Sequence, residues 1–247
     1  MPYELTFLGA LIGLLAGFFG IGGGLILIPS LLFLGFDMKS AVGISVIQMV
    51  FTSFYGSYLN FKKGTLDVKL VLVIGVGGMV GAQSSGFILS FLSAMALEII
   101  FLFFVIFAFY RLAFSKIIDS STTREVSVPL LFIIGAGIGA FSISMGVGGS
   151  ILLVPILVSF LHVPLKKAIS AGLFFVLFAS SSGLISLSYN TTLDFLSGVT
   201  IGIGSLVGVY IGIHYKDRVE ERLQKKLLLF MYIVVSVYIF TRLFING

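Results

Sequence analysis

The sequence predicts an all-α polytopic membrane protein made of two inverted repeats, each a glycine-broken helical hairpin followed by three transmembrane helices. Three observations lead to this prediction. The chain is 58% hydrophobic and 10% charged, with a mean hydropathy of +1.19, which is far from the composition of soluble domains. A glycine cluster interrupts an apolar run in each half. The basic residues divide unequally across the membrane only if both interrupted segments are hairpins.

The two glycine clusters share one motif. Gly20-Ile-Gly-Gly-Gly24 with Pro29 returns 126 residues later as Gly146-Val-Gly-Gly-Ser150 with Pro155. Glycine breaks a helix, and a break at membrane depth persists only where protein or a cavity surrounds it. Matching breaks in two halves are typical of transporters whose substrate site lies between inverted repeats.

The repeat extends beyond the clusters. Gly9 and Gly13 find glycine again at the same offset of 126 residues. After a one-residue insertion the offset becomes 127, and Thr65-Leu-Asp67 matches Thr192-Leu-Asp194. We therefore expect a first membrane repeat at residues 1–114, a polar linker at 115–127 and a second repeat at 128–247.

The segments follow from the apolar runs. The broken segments Leu5–Phe36 and Val128–Leu161 each exceed 30 residues. That is about 48 Å of helix, too long for one straight crossing of a hydrocarbon core about 30 Å thick. Each broken segment precedes three runs of about 20 residues, the length of an ordinary span. The six predicted spans are Ala41–Leu59, Val68–Leu92, Ala94–Phe114, Ala168–Tyr189, Phe195–Ile213 and Leu227–Phe244.

Charge counting supports hairpins. If every segment crosses once, the 15 Lys and Arg divide 7 to 8 between the two sides. If both broken segments turn back, they divide 13 to 2, with only Lys39 and Arg242 on one side. The positive-inside rule then makes the other side cytoplasmic. We expect a multi-pass protein of the plasma or inner membrane with both termini outside the cytoplasm.

Several function classes lack support in the sequence. The chain has no cysteine, which removes disulfides and thiolate chemistry. The net charge of +5 comes from short loops between spans, where it sets topology and does not indicate a nucleic-acid surface. Gly-x-Gly-x-x-Gly spacings follow no strand, and His-Glu-x-x-His does not occur. We predict no catalytic residue, no metal site and no cofactor, and hence no enzyme.

The glycine clusters themselves predict an anion site. A short helix should begin after each cluster, at about Gly24–Phe36 and Ser150–Leu161, with free N–H groups and a positive dipole end. Because the hairpins enter from opposite faces, these two ends should meet near the midplane. No cationic side chain is expected inside a span, so the backbone would bind the anion. The candidate residues are Gly20, Gly22, Gly23, Gly24, Gly146, Gly148, Gly149 and Ser150.

The alternative for the clusters is close helix packing, the role that we assign to most other glycines of the chain. Polar side chains add further candidates. Ser45, Gln48 and Thr52 lie in one span, and the last two share a helix face. A buried Gln needs partners that an oxyanion could provide, whereas hydroxyls within spans commonly bond between helices. Glu98 is the only acid within an apolar run and a candidate carrier of a coupling proton, although it lies near the outer boundary.

These motifs resemble those of the TauE/SafE family of sulfite and organosulfonate exporters. The resemblance rests on Gly-Leu-Leu-Ala-Gly-Phe-Phe-Gly-Ile-Gly-Gly-Gly at residues 13–24 with Pro29, and on Ser-Met-Gly-Val-Gly-Gly-Ser at residues 144–150 with Pro155. It covers essentially the whole chain. It implies export of a small sulfur oxyanion such as sulfite, or of a sulfonate such as sulfoacetate or taurine. The second motif departs from the first by Ser150 in place of Gly24.

We therefore expect a secondary transporter that moves a small anion outward by alternating access around a midplane site between two broken helices. Its expected partners are the anionic substrate, the lipid bilayer and a coupling proton, with a homo-oligomer left open. Two alternatives remain. An uncoupled anion channel could use the same helix ends, and a membrane scaffold or sensor without transport could use the glycines for packing alone.

Overall fold

The computed structural model describes residues 2–64, 68–115 and 127–244, and every regular element within those ranges is an α-helix. In chain order they are α1 (Pro2–Phe19), α2 (Gly24–Phe33), α3 (Met38–Lys62), α4 (Val68–Ala82), α5 (Ser85–Phe91), α6 (Ala94–Ala113), α7 (Val128–Ser144), α8 (Ser150–Ser159), α9 (Leu165–Asn190), α10 (Phe195–Lys216) and α11 (Glu221–Phe244). The predicted all-helical fold is confirmed.

By length and composition, five of the described helices could cross a membrane, and a bent pair of helices brings the number of candidate spans to six. α3, α6, α9, α10 and α11 are each long and apolar enough, and α4 with α5 forms a sixth span bent by 41°. We expected one continuous helix over Val68–Leu92. It breaks because α9 supplies hydrogen bonds at the bend: Gln83 Nε2 donates to Ser182 Oγ (2.7 Å), and Ser186 Oγ donates to the Gln83 carbonyl (2.5 Å). The multi-pass membrane architecture agrees with the sequence prediction.

The remaining helices, α1, α2, α7 and α8, are the short apolar arms of the two broken segments. Both segments break at the glycines, and the second arms end earlier than expected, at Phe33 and Ser159. Gly35 ends α2, because its φ of +90° is left-handed and the Phe36 N–H turns back to the Leu31 carbonyl. This is a common way to close a helix.

α1 lies along α10, and the two helices run in the same direction. Gly9 faces Ile201 and Gly17 faces Val209, so closely that a Cβ on either glycine would lie 2.2 or 2.6 Å from the facing carbonyl oxygen. The two helix backbones are in direct contact, as small residues permit in membranes. These glycines serve packing.

α7 lies along α4 in the same manner. A Cβ on Gly135 would lie 2.2 Å from the Ile74 carbonyl oxygen, and one on Gly139 would lie 2.2 Å from that of Gly78. Gly135 stands 126 residues after Gly9, and Ile74 stands 127 residues before Ile201, so these contacts follow the spacing of the sequence repeat.

The chain reverses direction between α1 and α2. The Phe18 carbonyl accepts a hydrogen bond from Gln224 Nε2 (2.8 Å) at the start of α11, whereas the Leu32 carbonyl accepts one from Arg242 (3.1 Å) at its end. Gln224 and Arg242 are about 27 Å apart along the helix. α1 thus ends beside the start of α11, and α2 runs along α11 toward its end. A groove of about 670 Å³ between these three helices is lined by apolar side chains of each, among them Leu15, Ile26 and Met231.

α3 and α9 form the centre of the protein. Both are two-thirds buried over their most apolar stretch, and they contact each other and the adjoining short helices α2 and α8. The outer helices instead expose large apolar side chains such as Phe103 and Phe230, which suits a lipid-facing surface. Residues 116–126 of the predicted linker at 115–127 lie outside the described residues, as does the Thr65–Asp67 match, and the division into two repeats stays a prediction.

Candidate functional site

Both glycine clusters form left-handed turns. Three glycines in each cluster have positive φ, a conformation that side chains with a Cβ rarely adopt. They occupy matching positions: Gly20 (+70°), Gly22 (+69°) and Gly23 (+102°) in the first loop, and Gly146 (+66°), Gly148 (+77°) and Gly149 (+81°) in the second. The glycines of each motif are therefore required by the backbone path.

The two loops meet in the centre of the protein. Gly22 and Gly148 pack on the same two side chains, Met49 of α3 and Val176 of α9. A Cβ on Gly22 would lie 3.0 Å from Val176 and 3.3 Å from Met49, and a Cβ on Gly148 would lie 3.1 and 2.5 Å from them. Breaks that are more than 120 residues apart in the chain thus share one location.

The start of α2 abuts the second loop. A Cβ on Gly24 would lie 2.0 Å from the Gly146 carbonyl oxygen and 2.9 Å from Val147 Cα. The first bonds into α2 are donated by Ile26 and Leu27 N–H to the Gly23 carbonyl, at 3.2 and 3.0 Å. The N–H groups of the preceding helix residues come before the first intrahelical bond, and they carry the positive end of the helix dipole.

The start of α8 is built in the same way. Leu152 and Leu153 donate their N–H groups to the Gly149 carbonyl at 3.1 and 2.9 Å. The first residue of α8, Ser150, is fully buried. Two helix N-termini are therefore held close together inside the protein, where a low dielectric strengthens their fields.

Two predicted hydroxyls of α3 hold the loops. Ser45 Oγ donates to the Gly146 carbonyl at 2.7 Å. Thr52 Oγ1 lies 3.1 Å from the Gly22 carbonyl and shares its proton with the Met49 and Gln48 carbonyls of its own helix at 3.1 and 3.3 Å. Both side chains are fully buried. α3 thereby joins the two loops through one hydroxyl each, so in this conformation these two residues position the loops.

Gln48 lies beside the first loop with its amide group unpartnered. The side chain is fully buried, and within the described residues neither its Oε1 nor its Nε2 has a hydrogen-bond partner. A Cβ on Gly23 would lie 2.8 Å from that Oε1 and 3.0 Å from that Nε2. At the equivalent place in the second half, Phe175 faces Gly149. A buried amide without partners is rare and needs an explanation.

The departure of Ser150 from the motif is matched by a second change. A Cβ on Gly172 would lie 3.0 Å from Ser150 Cβ and 2.7 Å from the Gly20 carbonyl oxygen. Gly172 stands 127 residues after Ser45, and Ser150 stands 126 residues after Gly24. In the first half the hydroxyl is on the long helix, at Ser45, and the glycine is in the loop, at Gly24. In the second half the hydroxyl is in the loop, at Ser150, and the glycine is on the long helix, at Gly172.

An arginine lies at the end of each short helix. Arg242 donates to the Leu32 carbonyl of α2 and pairs with the buried Glu98 at 3.4 Å. Arg111 donates to Ser159 Oγ of α8 at 3.1 Å. The expectation that no cationic side chain lies within a span is therefore wrong for Arg242 and Arg111. The negative ends of the short helices attract both side chains. Glu98 is held in an ion pair.

Lys216 is the functional candidate that sequence reasoning missed. We counted it among the loop lysines, but it is the last residue of α10 and fully buried. Its amine donates to Asn60 Oδ1 at 2.8 Å and to Ser170 Oγ at 2.7 Å. The signal was its spacing, since Gly208, Gly212 and Lys216 recur every four residues on the buried face of α10.

Comparison with known proteins agrees with the predicted resemblance. The family profile described as "Sulfite exporter TauE/SafE" matches residues 5–239. A probable membrane transporter protein of Methanocaldococcus jannaschii is 31% identical over 76% of this chain and 73% of its own length. Another of Bacillus subtilis is 22% identical over 98% of this chain and 97% of its own length. One of Haemophilus influenzae is 30% identical over 72% of this chain and 70% of its own length.

No solved structure gives a significant match to the chain. The family match covers nearly the whole chain, including both glycine clusters, and the relatives carry the name of membrane transporters. The fold agrees, with up to six spans and two broken segments. This chain belongs to the TauE/SafE family of membrane transporters.

Proposed function

We propose that this protein is a secondary transporter that exports a small anion, sulfite or an organosulfonate, by alternating access around the two glycine loops. The observation that carries the proposal is the convergence of the loops on Met49 and Val176, which brings the N-termini of α2 and α8 together in the protein interior. N-terminal N–H groups and helix dipoles bind anions without any cationic side chain.

Gln48 supports the same location for the anion. Its amide is buried and unpartnered beside Gly23. An amide N–H can donate to an oxyanion, and the adjacent loop N–H groups can complete its coordination. An anion bound here would satisfy polar groups that otherwise stay unpaired in a low dielectric.

Alternating access fits the closed packing of the loops. Gly20–Leu25 and Ser144–Pro155 are buried throughout, so an anion reaches them only after helices move. We propose that the two halves are inverted repeats, which rock against each other at this contact. The parallel packing of α1 on α10 and of α7 on α4 at equivalent glycines supports this relation. The 13-to-2 division of basic residues supports a topology with both termini outside the cytoplasm.

The substrate and direction rest on the family. Its description names a sulfite exporter, and the curated relatives are named as transporters without a substrate. A small oxyanion suits the site, since the charge would be met by dipoles and neutral donors at short range. We propose a proton as the coupling ion. Because Glu98 is paired with Arg242, the substrate or water, and not Glu98, would carry this proton.

The test is uptake of radiolabelled sulfite into proteoliposomes, with and without a proton gradient and with sulfoacetate as competitor. We expect saturable uptake driven by the gradient, and we expect Gly23→Leu or Gly149→Leu to abolish it while the protein still inserts. Gly137→Leu is the matched control, because a Cβ at Gly137 meets no atom within 4 Å.

Each other outcome contradicts a defined part of the proposal. Flux that neither saturates nor responds to the gradient would indicate an anion channel. Undiminished transport by both leucine variants would remove the glycine loops from the site. Absence of flux of any tested anion, with a stable protein partner on purification, would favour a scaffold or sensor.

A further inference from the structure

Lys216 is a buried charge with neutral hydrogen-bond partners. Its side chain is fully buried, and its amine contacts the Asn60 amide oxygen and the Ser170 hydroxyl. Burying an ammonium group is costly unless an opposite charge compensates it. Within the described part of the chain, its two hydrogen-bond acceptors are neutral and do not supply that charge. A buried amine of this kind is suited to bind an anion.

The surroundings of Lys216 are also positive. Lys63 pairs with Asp217 at 2.7 Å, and Lys166 donates to the Asp217 backbone carbonyl at 3.0 Å. Among the residues that the structure describes, the cluster therefore holds three amines and a single carboxylate, which Lys63 already engages. It joins the ends of α3 and α10 to the start of α9, on the side that charge counting assigns to the cytoplasm.

The cluster adjoins the first glycine loop. Ile169, the neighbour of Ser170 on α9, packs on Gly20, where a Cβ would lie 2.2 Å from the Ile169 carbonyl oxygen. An anion at Lys216 would thus contact Ser170, the residue of α9 that directly follows the contact between Ile169 and Gly20. This places the amine between the cytoplasm and the proposed midplane site.

The equivalent positions at the other end of the molecule are apolar. At the offset of 127 residues, Leu89 corresponds to Lys216, Leu187 to Asn60 and Gly43 to Ser170. Leu89 and Leu187 are fully buried, and Gly43 faces the side chain of Leu193. At these three positions the two ends thus differ, with a buried amine and polar partners at one end and apolar residues at the other.

We propose that Lys216, Asn60 and Ser170 form an anion-acceptance site at the cytoplasmic end of the pathway. When the cytoplasmic ends of α3, α9 and α10 separate, the amine exchanges its two neutral partners for a small oxyanion. The apolar counterpart gives the outer end no such site, which favours loading from the cytoplasm. This inference rests on the proposed function for its direction, and on the described contacts for its location.

The absence of native cysteine allows a direct test. Ser170→Cys introduces one thiol beside the amine, to be labelled in inside-out vesicles with a negatively or a positively charged methanethiosulfonate reagent. We expect the anionic reagent to react about tenfold faster than the cationic one, because a positive cleft concentrates anions. Lys216→Met should remove this preference, and sulfoacetate, which unlike sulfite does not react with the reagent, should slow labelling only when Lys216 is present.

Lys62→Met, at an exposed lysine of the same helix end, is the matched control and should keep the preference. Asn60→Cys is a second reporter if Ser170→Cys does not fold. The inference is overturned if Lys216→Met leaves the preference unchanged, or if neither thiol reacts from the cytoplasmic face. Labelling does not depend on flux, so a charge preference without sulfite transport would count against the proposed function alone.

Discussion

Adding one methyl group at Gly24 should separate the two glycine loops. Gly24 is the first residue of α2, and its φ lies outside the left-handed region, so alanine is compatible with its backbone. In a helix, alanine is favoured over glycine by about 1 kcal/mol. On local grounds Gly24→Ala should therefore stabilise the protein. The tertiary contact predicts the opposite.

The size of the effect follows from the contact. The new Cβ would lie 2.0 Å from the Gly146 carbonyl oxygen, whereas ordinary van der Waals contact begins at 3.4 Å. The loops would have to part by about 1.4 Å, and both belong to backbone held by hydrogen bonds from Ser45 and Thr52. Overpacking of this kind costs about 1–3 kcal/mol, which exceeds the gain in helix propensity.

The assay is sulfite flux into proteoliposomes together with the thermal midpoint in detergent. We expect Gly24→Ala to lower the midpoint and, if parting the loops weakens anion binding by about 1.4 kcal/mol, to lose about 90% of the flux at subsaturating sulfite. Gly137→Ala on α7 makes the same exchange where nothing lies within 4 Å, so it should keep the flux and raise the midpoint through helix propensity. Wild-type flux and stability in Gly24→Ala would refute the close approach of the loops.

Three further predictions follow from the same contacts. Gln48→Leu removes a buried amide that has no partner among the described residues. It should keep or raise the thermal midpoint, because it relieves a desolvation penalty of about 1–3 kcal/mol, and it should raise the KM for the anion. A lowered midpoint with an unchanged KM would show that Gln48 serves packing. Gly24→Ser should impair flux, and adding Ser45→Gly should restore part of it by reproducing the second half; no rescue would contradict the exchange. Asp37 caps α3, and its hydrogen bond from Ser40 lowers the pKa of the carboxyl below 3.8. Asp37→Ala should cost about 1 kcal/mol of folding stability at neutral pH. This loss of stability should shrink as the pH falls below 3.8, and a loss that does not depend on pH would exclude the charged cap.

Local chemistry explains what the sequence could predict of the fold. The repeated glycine motif with its proline predicted the ends of α1 at Phe19 and of α7 at Ser144, whereas Gly75, Gly77 and Gly78, which lie outside that motif, remain inside α4. The lengths of the spans follow from apolar runs and the thickness of the bilayer. The start of α2 at Gly24 and of α8 at Ser150 also matched the prediction.

Contacts between distant residues explain what the sequence did not show. The bend between α4 and α5 depends on Ser182 and Ser186, which lie about 100 residues from Gln83. The burial of Lys216 depends on Asn60, 156 residues away. Charge counting assigns every lysine near a span end to a loop, and so it cannot recognise one that folds inward.

The candidate site could be predicted only in part from the sequence. Gln48 was predicted because an amide deep in a span is costly, and the structure adds that it lies beside Gly23 without a partner. Ser45 and Thr52 were predicted as donors to an anion. They donate instead to loop carbonyls in this conformation, a role that the sequence could not distinguish from substrate binding.

The most direct test of the central claim is the position of a bound anion. Selenite, the selenium counterpart of sulfite, can be located by anomalous scattering in crystals of the protein. The account predicts a selenium peak between the N-termini of α2 and α8, within hydrogen-bond distance of the Gln48 amide and of N–H groups at Gly24 and Ser150. A selenium site elsewhere in the protein, with these groups still packed against each other, would contradict it.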